Sequence, residues 1–286
     1  MTTIQARCRR ILEGGTLADK LHGNDEPQAV DDVEGAVIVD VDVPARFGVL
    51  AMVEGAERLP ALRELTRLDA RVACLSRFAH HELMAVEMFA WALLRFPDAP
   101  RALRRGMWAA LVEEQAHLGL YLDRMKAHGA AIGDVPLSGY FWKLMPPIRS
   151  AADPLKAFLC AQGLTLEQAN LDFTITYRDA FSLAGDVDSA AVMQRVHDDE
   201  ISHVRLARTW LCKGRDDDDD DDSDVDAYVT HVPFPLSAAR AKGRRFESGA
   251  RRRAGLSEPF IAFVRDARPY ADKTPETTPD KRAEQT

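Results

Sequence analysis

The chain has 286 residues, 46% hydrophobic and 29% charged, enough for the core of one large domain or of a domain with extensions. Its formal net charge of −8 excludes a globally basic nucleic-acid surface. No apolar run approaches the roughly 20 residues of a membrane span, and the arginines of the first ten residues precede no apolar leader segment, so neither a membrane span nor a secretory signal is expected.

Residues 1–60 read as an N-terminal extension that packs on the rest. A short helix is expected over residues 4–17, and the AVIVDVDV stretch, Ala36 to Val43, alternates with strand period until Pro44 breaks it. Residues 61–213 carry four long helical patterns. The first runs from Leu62 to Phe96 with an apolar stripe at Leu62, Leu65, Leu68 and Val72. The second starts at Pro100 and stops before Gly129. A linker follows that contains Gly133, Pro136, Pro146 and Pro147. It also carries Tyr140, Phe141 and Trp142, and is expected to dock as a lid or wall of a substrate pocket. The third helix starts at Asp153-Pro154 and ends near Gly185, and the fourth runs from about Asp186 to Cys212.

Seven consecutive aspartates, Asp216 to Asp222, lie in an acidic stretch over 214–228. Its expected state is a solvated, disordered loop, with a loose cation-collecting loop as the other reading. Residues 229–268 form a basic extension with Arg240, Lys242, Arg244, Arg245 and Arg251-Arg252-Arg253. This extension either folds back to neutralise acidic surface, with the aspartate run as the partner at hand, or binds phosphate or nucleic acid. Residues 269–286 read as a disordered tail. The four cysteines, Cys8, Cys74, Cys160 and Cys212, are scattered without a Cys-x-x-Cys pair, which suits a reduced, cytoplasmic setting.

The chemistry lies in two short motifs, Glu114-Gln-Ala-His117 and Glu200-Ile-Ser-His203. A spacing of three puts carboxylate and imidazole one turn apart on one helix face. Glu82 lies 32 residues before Glu114, and Glu167 lies 33 before Glu200, so the unit helix(Glu)–helix(Glu-x-x-His) occurs twice. That set matches the ligands of a dinuclear iron or manganese carboxylate centre inside an all-α four-helix bundle. Four carboxylates neutralise and bridge two hard cations, and two imidazoles bind end-on. Six such groups inside a helical core are costly without metal. A single Glu-x-x-His is explained by a solvated surface pair; two copies with matched upstream glutamates are not.

The halves match further. Glu82-Leu-Met-Ala-Val-Glu87 aligns with Glu167-Gln-Ala-Asn-Leu-Asp172, and Glu113 and Asp199 each precede a motif glutamate. Metal-bound histidines donate their outer N–H to carboxylates, which makes Glu113 and Asp199 candidate supports. Glu87, 500° further round than Glu82, is not assigned as a ligand. Of His80 and His81, one is read as a support near the ligands and the other as a packing or surface residue. Asn170, one turn beyond Glu167, is placed to hold a ligand or a water. His197, one turn before Glu200, is either an extra nitrogen ligand or a supporting or packing residue. Tyr121, two turns after Glu114, is either a redox-active tyrosine or an ordinary core residue.

These motifs (HHELMAVEMFAWALLRFPDAP, EEQAH, LTLEQANLDF and HDDEISHVRLA, within residues 62–212) resemble the ferritin-like superfamily. More narrowly, they resemble a group of bacterial ferritin-like proteins known only as a domain of unknown function. The resemblance implies a ferritin-like four-helix bundle with N- and C-terminal extensions and a di-iron carboxylate site. It does not imply a reaction, because such folds host many. Related sequences often carry Leu-Glu-Ala-Arg-Gly-Leu on the third helix, whereas this chain has Leu159-Cys-Ala-Gln-Gly-Leu164. Cys160 thus replaces a glutamate, and Glu167 is assigned as the third-helix ligand from the repeat spacing.

Three functions compete. The first is an oxidoreductase with two metal ions, iron or manganese and iron, that uses O2 to oxidise or hydroxylate an unknown small molecule as a monomer or homodimer; a tRNA substrate is a subcase. The second is an iron-handling ferroxidase or storage protein, which would need a multi-subunit shell. The third is a helical interaction protein whose metal is structural.

Overall fold

In a computed structural model the described residues are 3–21, 37–55, 59–213 and 223–269. The fold is all-α apart from one short parallel strand pair among these residues, β1 (Met52–Val53) against β2 (Leu137–Ser138). Four helical segments form the centre. Helix α3 (Leu68–Arg95) packs along α4 (Arg101–Ala127). The segment α6 (Pro154–Ala161) continues through one wide turn, Gln162–Glu167, into α7 (Gln168–Leu183), which packs along α8 (Val187–Leu211). Contact between α4 and α8 joins the two pairs.

The ends follow local chemistry. Pro100 precedes α4, and Gly129 adopts φ +76° just past its end. Asp153 caps α6 through Lys156 N, with Pro154 in the first turn, and Asp186 caps α8 through Ser189 N. The first long helix starts later than its periodicity suggests. Leu62–Thr66 is a separate tight turn, and extended Arg67 breaks it from α3.

The N-terminal extension covers α3. Helix α1 (Ile4–Glu13) buries Ile4, Cys8, Ile11 and Leu12 against it, and α2 (Leu17–Lys20) follows. The alternation at 37–43 makes no strand. Val39 N–H bonds Leu94 O, Trp91 Nε1 donates to Asp40, and Arg149 pairs with Asp42, so Val39 and Val41 turn partly inward and the two aspartates meet polar partners, while Val37 and Val43 stay exposed. Ala36 lies outside the described residues, as does the Asp216–Asp222 run. The acidic loop expected through residue 228 ends sooner, because α9 spans Ser223–His231.

The linker docks: Phe141 and Trp142 are buried, and α5 (Met145–Arg149) follows them. The basic extension, with α10 (Ser248–Arg253) and α11 (Glu258–Asp266), folds back onto the helices. Among the described residues its arginines pair with Asp172 and Asp179 of α7 and with Glu247, Glu258 and Asp266 of the extension itself.

Two buried carboxylates fasten the extensions. Glu87 accepts from Arg46 Nε at 3.0 Å, Arg46 Nη2 at 2.7 Å and Trp142 Nε1 at 3.0 Å, with Lys20 Nζ at 3.1 Å. Asp172 accepts from Arg251 Nη1 at 2.7 Å and Nη2 at 2.8 Å, and from the backbone N–H groups of Gly243 and Glu247. Each lies five residues after a repeat glutamate, Glu82 or Glu167. All four cysteines are free. No described helix is long and apolar enough to cross a membrane.

Candidate metal centre

Helices α3, α4 and α8 and the wide turn before α7 bring six predicted residues together. Donor atoms of Glu114, Glu167, Glu200 and His203 lie within 4.8 Å of one another, and so do those of Glu82, Glu114 and His117. Glu114 belongs to both groups. All six side chains are buried.

Each imidazole is aimed by an acid from the opposite helix. His117 Nε2 lies 3.0 Å from Asp199 Oδ2, and His203 Nε2 lies 2.7 Å from Glu113 Oε2. Each supporting acid precedes the motif glutamate of its own helix and holds the histidine of the other. In the neutral ring, donation from Nε2 leaves the Nδ1 lone pair facing the cluster, the tautomer that binds a cation, assigned here from the hydrogen-bond partners. His203 Nδ1 lies 3.1 Å from Glu114 Oε1 and 3.4 Å from Glu200 Oε2, and His117 Nδ1 lies 3.6 Å from Glu114 Oε2. These approaches lack hydrogen-bond geometry. Both Nδ1 atoms, both Glu114 oxygens and Glu200 Oε2 are buried without a hydrogen-bond partner. Such an atom costs roughly 1–3 kcal/mol. Five of them spread over the two donor groups is an arrangement that cations would satisfy.

The remaining carboxylate oxygens are steered. Asn170 Nδ2 donates to Glu200 Oε1 at 2.7 Å, and Gln162 Nε2 donates to Glu167 Oε1 at 3.0 Å. Asn170, one turn beyond Glu167, thus reaches the Glu200 carboxylate on the facing helix. Gln162 escaped the sequence reading because it lies five residues before Glu167, an offset that shares a face only in a π-type turn. Gln162–Glu167 is such a turn, a common device at functional sites. Thr165 Oγ1 donates back from it to Cys160 O at the end of α6, at 2.7 Å. Gly163 lets the turn approach α8, since a Cβ there would stand 2.2 Å from Ala207 Cβ. Glu167, not Cys160, joins the cluster.

Protons compensate for the crowded charge. Burial pushes the Glu82 carboxyl well above its ordinary range, with Glu114 adding to the rise. Burial likewise raises Glu200, and it raises Glu167 to about 8 against the pull of His203. Burial opposes charge on His117, but Asp199 and Glu114 outweigh it and hold the ring at about 9. His203 is raised well above its ordinary value because Glu113, Glu114 and Glu200 outweigh burial. Glu114 is held low despite its burial by the close approach of the Glu82 carboxyl and of the His117 and His203 rings.

The other candidates resolve differently. His197 is no part of the cluster. Its Nδ1 meets Thr174 Oγ1 at 3.1 Å and its Nε2 meets Arg253 at 3.3 Å, so it belongs to the seam with the C-terminal extension. Tyr121 donates to Met193 Sδ at 3.3 Å and packs at 5.8 Å from the Phe78 ring. His80 Nε2 meets Arg46, and His81 stacks on Phe141, so neither touches the cluster.

Among curated proteins and among solved structures nothing matches the chain. A family model described as protein of unknown function, DUF455, matches residues 15–262, which span both Glu-x-x-His motifs, both upstream glutamates and the acids that hold the imidazoles. On that match the chain belongs to the DUF455 family.

Proposed function

We propose that the chain is a ferritin-like four-helix bundle that holds a dinuclear iron, or manganese–iron, centre and works as an oxidoreductase using O2 on a small-molecule substrate. The carrying observation is the set of buried, unpartnered donor atoms converging from His117, His203, Glu114 and Glu200. One cation would take Glu82, Glu114 and His117. The other would take Glu114, Glu167, Glu200 and His203. All-oxygen and imidazole donors suit iron and manganese better than thiolate-seeking metals. Bound there, such cations would supply the electrons for O2 reduction.

The chain's own residues perform the remaining work. Asp199 and Glu113 hold the imidazoles in one tautomer and orientation. Asn170 and Gln162 fix the carboxylates. Phe89, 6.2 Å from the His203 ring, walls the site with apolar surface that keeps water from competing. The four free cysteines fit a reduced, cytoplasmic setting for this activity.

The test is metal content of aerobically purified protein, with Glu114→Ala/Glu200→Ala as control. The expected result is about two redox-active ions per chain, lost in the variant, and O2 uptake when Fe(II) is added to metal-free protein. Protein that takes up neither Fe(II) nor Mn(II) under anaerobic conditions refutes the proposal. A large multi-subunit shell filled with iron would instead favour the storage reading.

A further inference from the structure

A groove of about 960 Å³ lies along the outer side of α7, and no residue of the carboxylate cluster lines it. Its floor is apolar. Tyr177 and Ala180 are its buried lining, and Phe173 and Leu183 from α7 and Leu62 from the turn before α3 stand open along it at 43%, 89% and 42% exposure. Large side chains left open in a concave surface are stabilised by a ligand that removes them from water. The rim is cationic. Arg245 is already engaged, donating to Asp179 and Glu247 at 2.5 Å. Arg63 and Arg244 also line the groove, and among the described residues neither makes a hydrogen bond or an ion pair. An apolar trough bordered by two uncommitted guanidiniums is complementary to a molecule with an apolar tail and an anionic head. Its volume lies within the range of small-molecule sites.

We propose that this groove binds a free, single-chain anionic amphiphile, a long-chain carboxylate. The tail lies on Phe173, Leu183 and Leu62, and the carboxylate meets Arg63 and Arg244. The groove exists only where three parts of the chain meet: the segment ahead of α3, the outer face of α7 and the C-terminal extension. The extensions thereby acquire a role separate from the metal centre, and the site stands whether or not the centre is occupied.

The experiment titrates the full chain with sodium oleate below its micellar concentration, by calorimetry. It compares Arg63→Glu/Arg244→Glu, Phe173→Glu and Leu183→Glu. All four positions are exposed or half-exposed, so the variants keep the fold, checked by an unchanged thermal melt. Saturable uptake of one oleate per chain is expected, weakened at least tenfold by the double charge reversal and abolished by Phe173→Glu. A parallel arm sediments the protein with phosphatidylglycerol vesicles, where no co-sedimentation is expected. No saturable oleate uptake overturns the proposal, as does uptake unchanged in all three variants. Vesicle binding without uptake of monomeric oleate overturns it too, and reassigns the patch to a membrane surface.

Discussion

The substitution Asp199→Asn isolates one link in the proposed metal centre. Asp199 accepts from His117 Nε2 at 3.0 Å and from Arg195 at 2.6 Å, and it touches no other member of the cluster. Asparagine keeps the size and one acceptor but removes the charge. A hydrogen bond to a charged partner contributes about 1.5–3 kcal/mol, against about 0.5–1.5 kcal/mol for a neutral one. The difference, roughly 1–1.5 kcal/mol, is close to tenfold in affinity. Loss of such a support typically weakens metal binding 10- to 100-fold. Anaerobic calorimetric titration with Mn(II) or Fe(II) is therefore expected to show one of two binding steps weakened about tenfold in Asp199→Asn. Glu113→Gln should weaken the other, because Glu113 holds His203. Arg195→Ala controls for the surface pair and leaves both steps in place. Unchanged affinity in Asp199→Asn, or an equal loss of both steps in either variant, would refute the assignment of one imidazole support to each cation.

Three further outcomes are expected. Metal-free protein loses thermal stability as pH rises. Glu167 goes from an ordinary 4.5 up to about 8, and His117 from 6.5 up to about 9. Protons bound more tightly in the folded state stabilise it fully below the unfolded values, and that stability is lost as pH climbs through the folded ones. Glu114, held low, acts oppositely and only in acid. Melting metal-free protein from pH 5 to pH 9 checks this, and a midpoint that rises with pH would contradict it. Arg251→Met leaves Asp172 buried with only backbone donors and should cost about 3–5 kcal/mol in urea unfolding; a loss under 1 kcal/mol would show that the pair is dispensable. Gly163→Ala should cost about 1–3 kcal/mol by overpacking against Ala207 and should reduce metal uptake, with Ala207→Gly restoring both. Failure of that rescue would remove the close approach as the reason for the glycine.

The helices and the convergence of the six donors were legible because ionisable groups at helical spacing inside apolar stretches have few explanations. The repeat turned weak motifs into a strong one, and the acid before each motif glutamate indicated the imidazole supports. Other features depend on contacts that sequence spacing hides. Glu87 was set aside correctly by its angle from Glu82. Its partners, Lys20, Arg46 and Trp142, lie in segments with no helical period linking them to α3. Asp172 and Arg251 are 79 residues apart. The wide turn at Gln162–Glu167 leaves no compositional mark, so Gln162 went unnoticed, and the valine–aspartate alternation at 37–43 mimicked a strand while serving a docked coil. His197 has helical spacing to Glu200, but its partners lie on α7 and α10.

Apolar contact is non-directional, so on its own it does little to fix how a helix is rolled about its axis. On α3 and on α7, roughly 140° around from the acid of the cluster, a carboxylate is gripped by a guanidinium from a distant stretch of chain. Each grip works as a rotational stop, setting the azimuth at which Glu82 or Glu167 points inward. The two extensions thus hold α3 and α7 from outside the cluster, one extension per helix. Shortening either tail would detune the centre without touching a single atom that faces it.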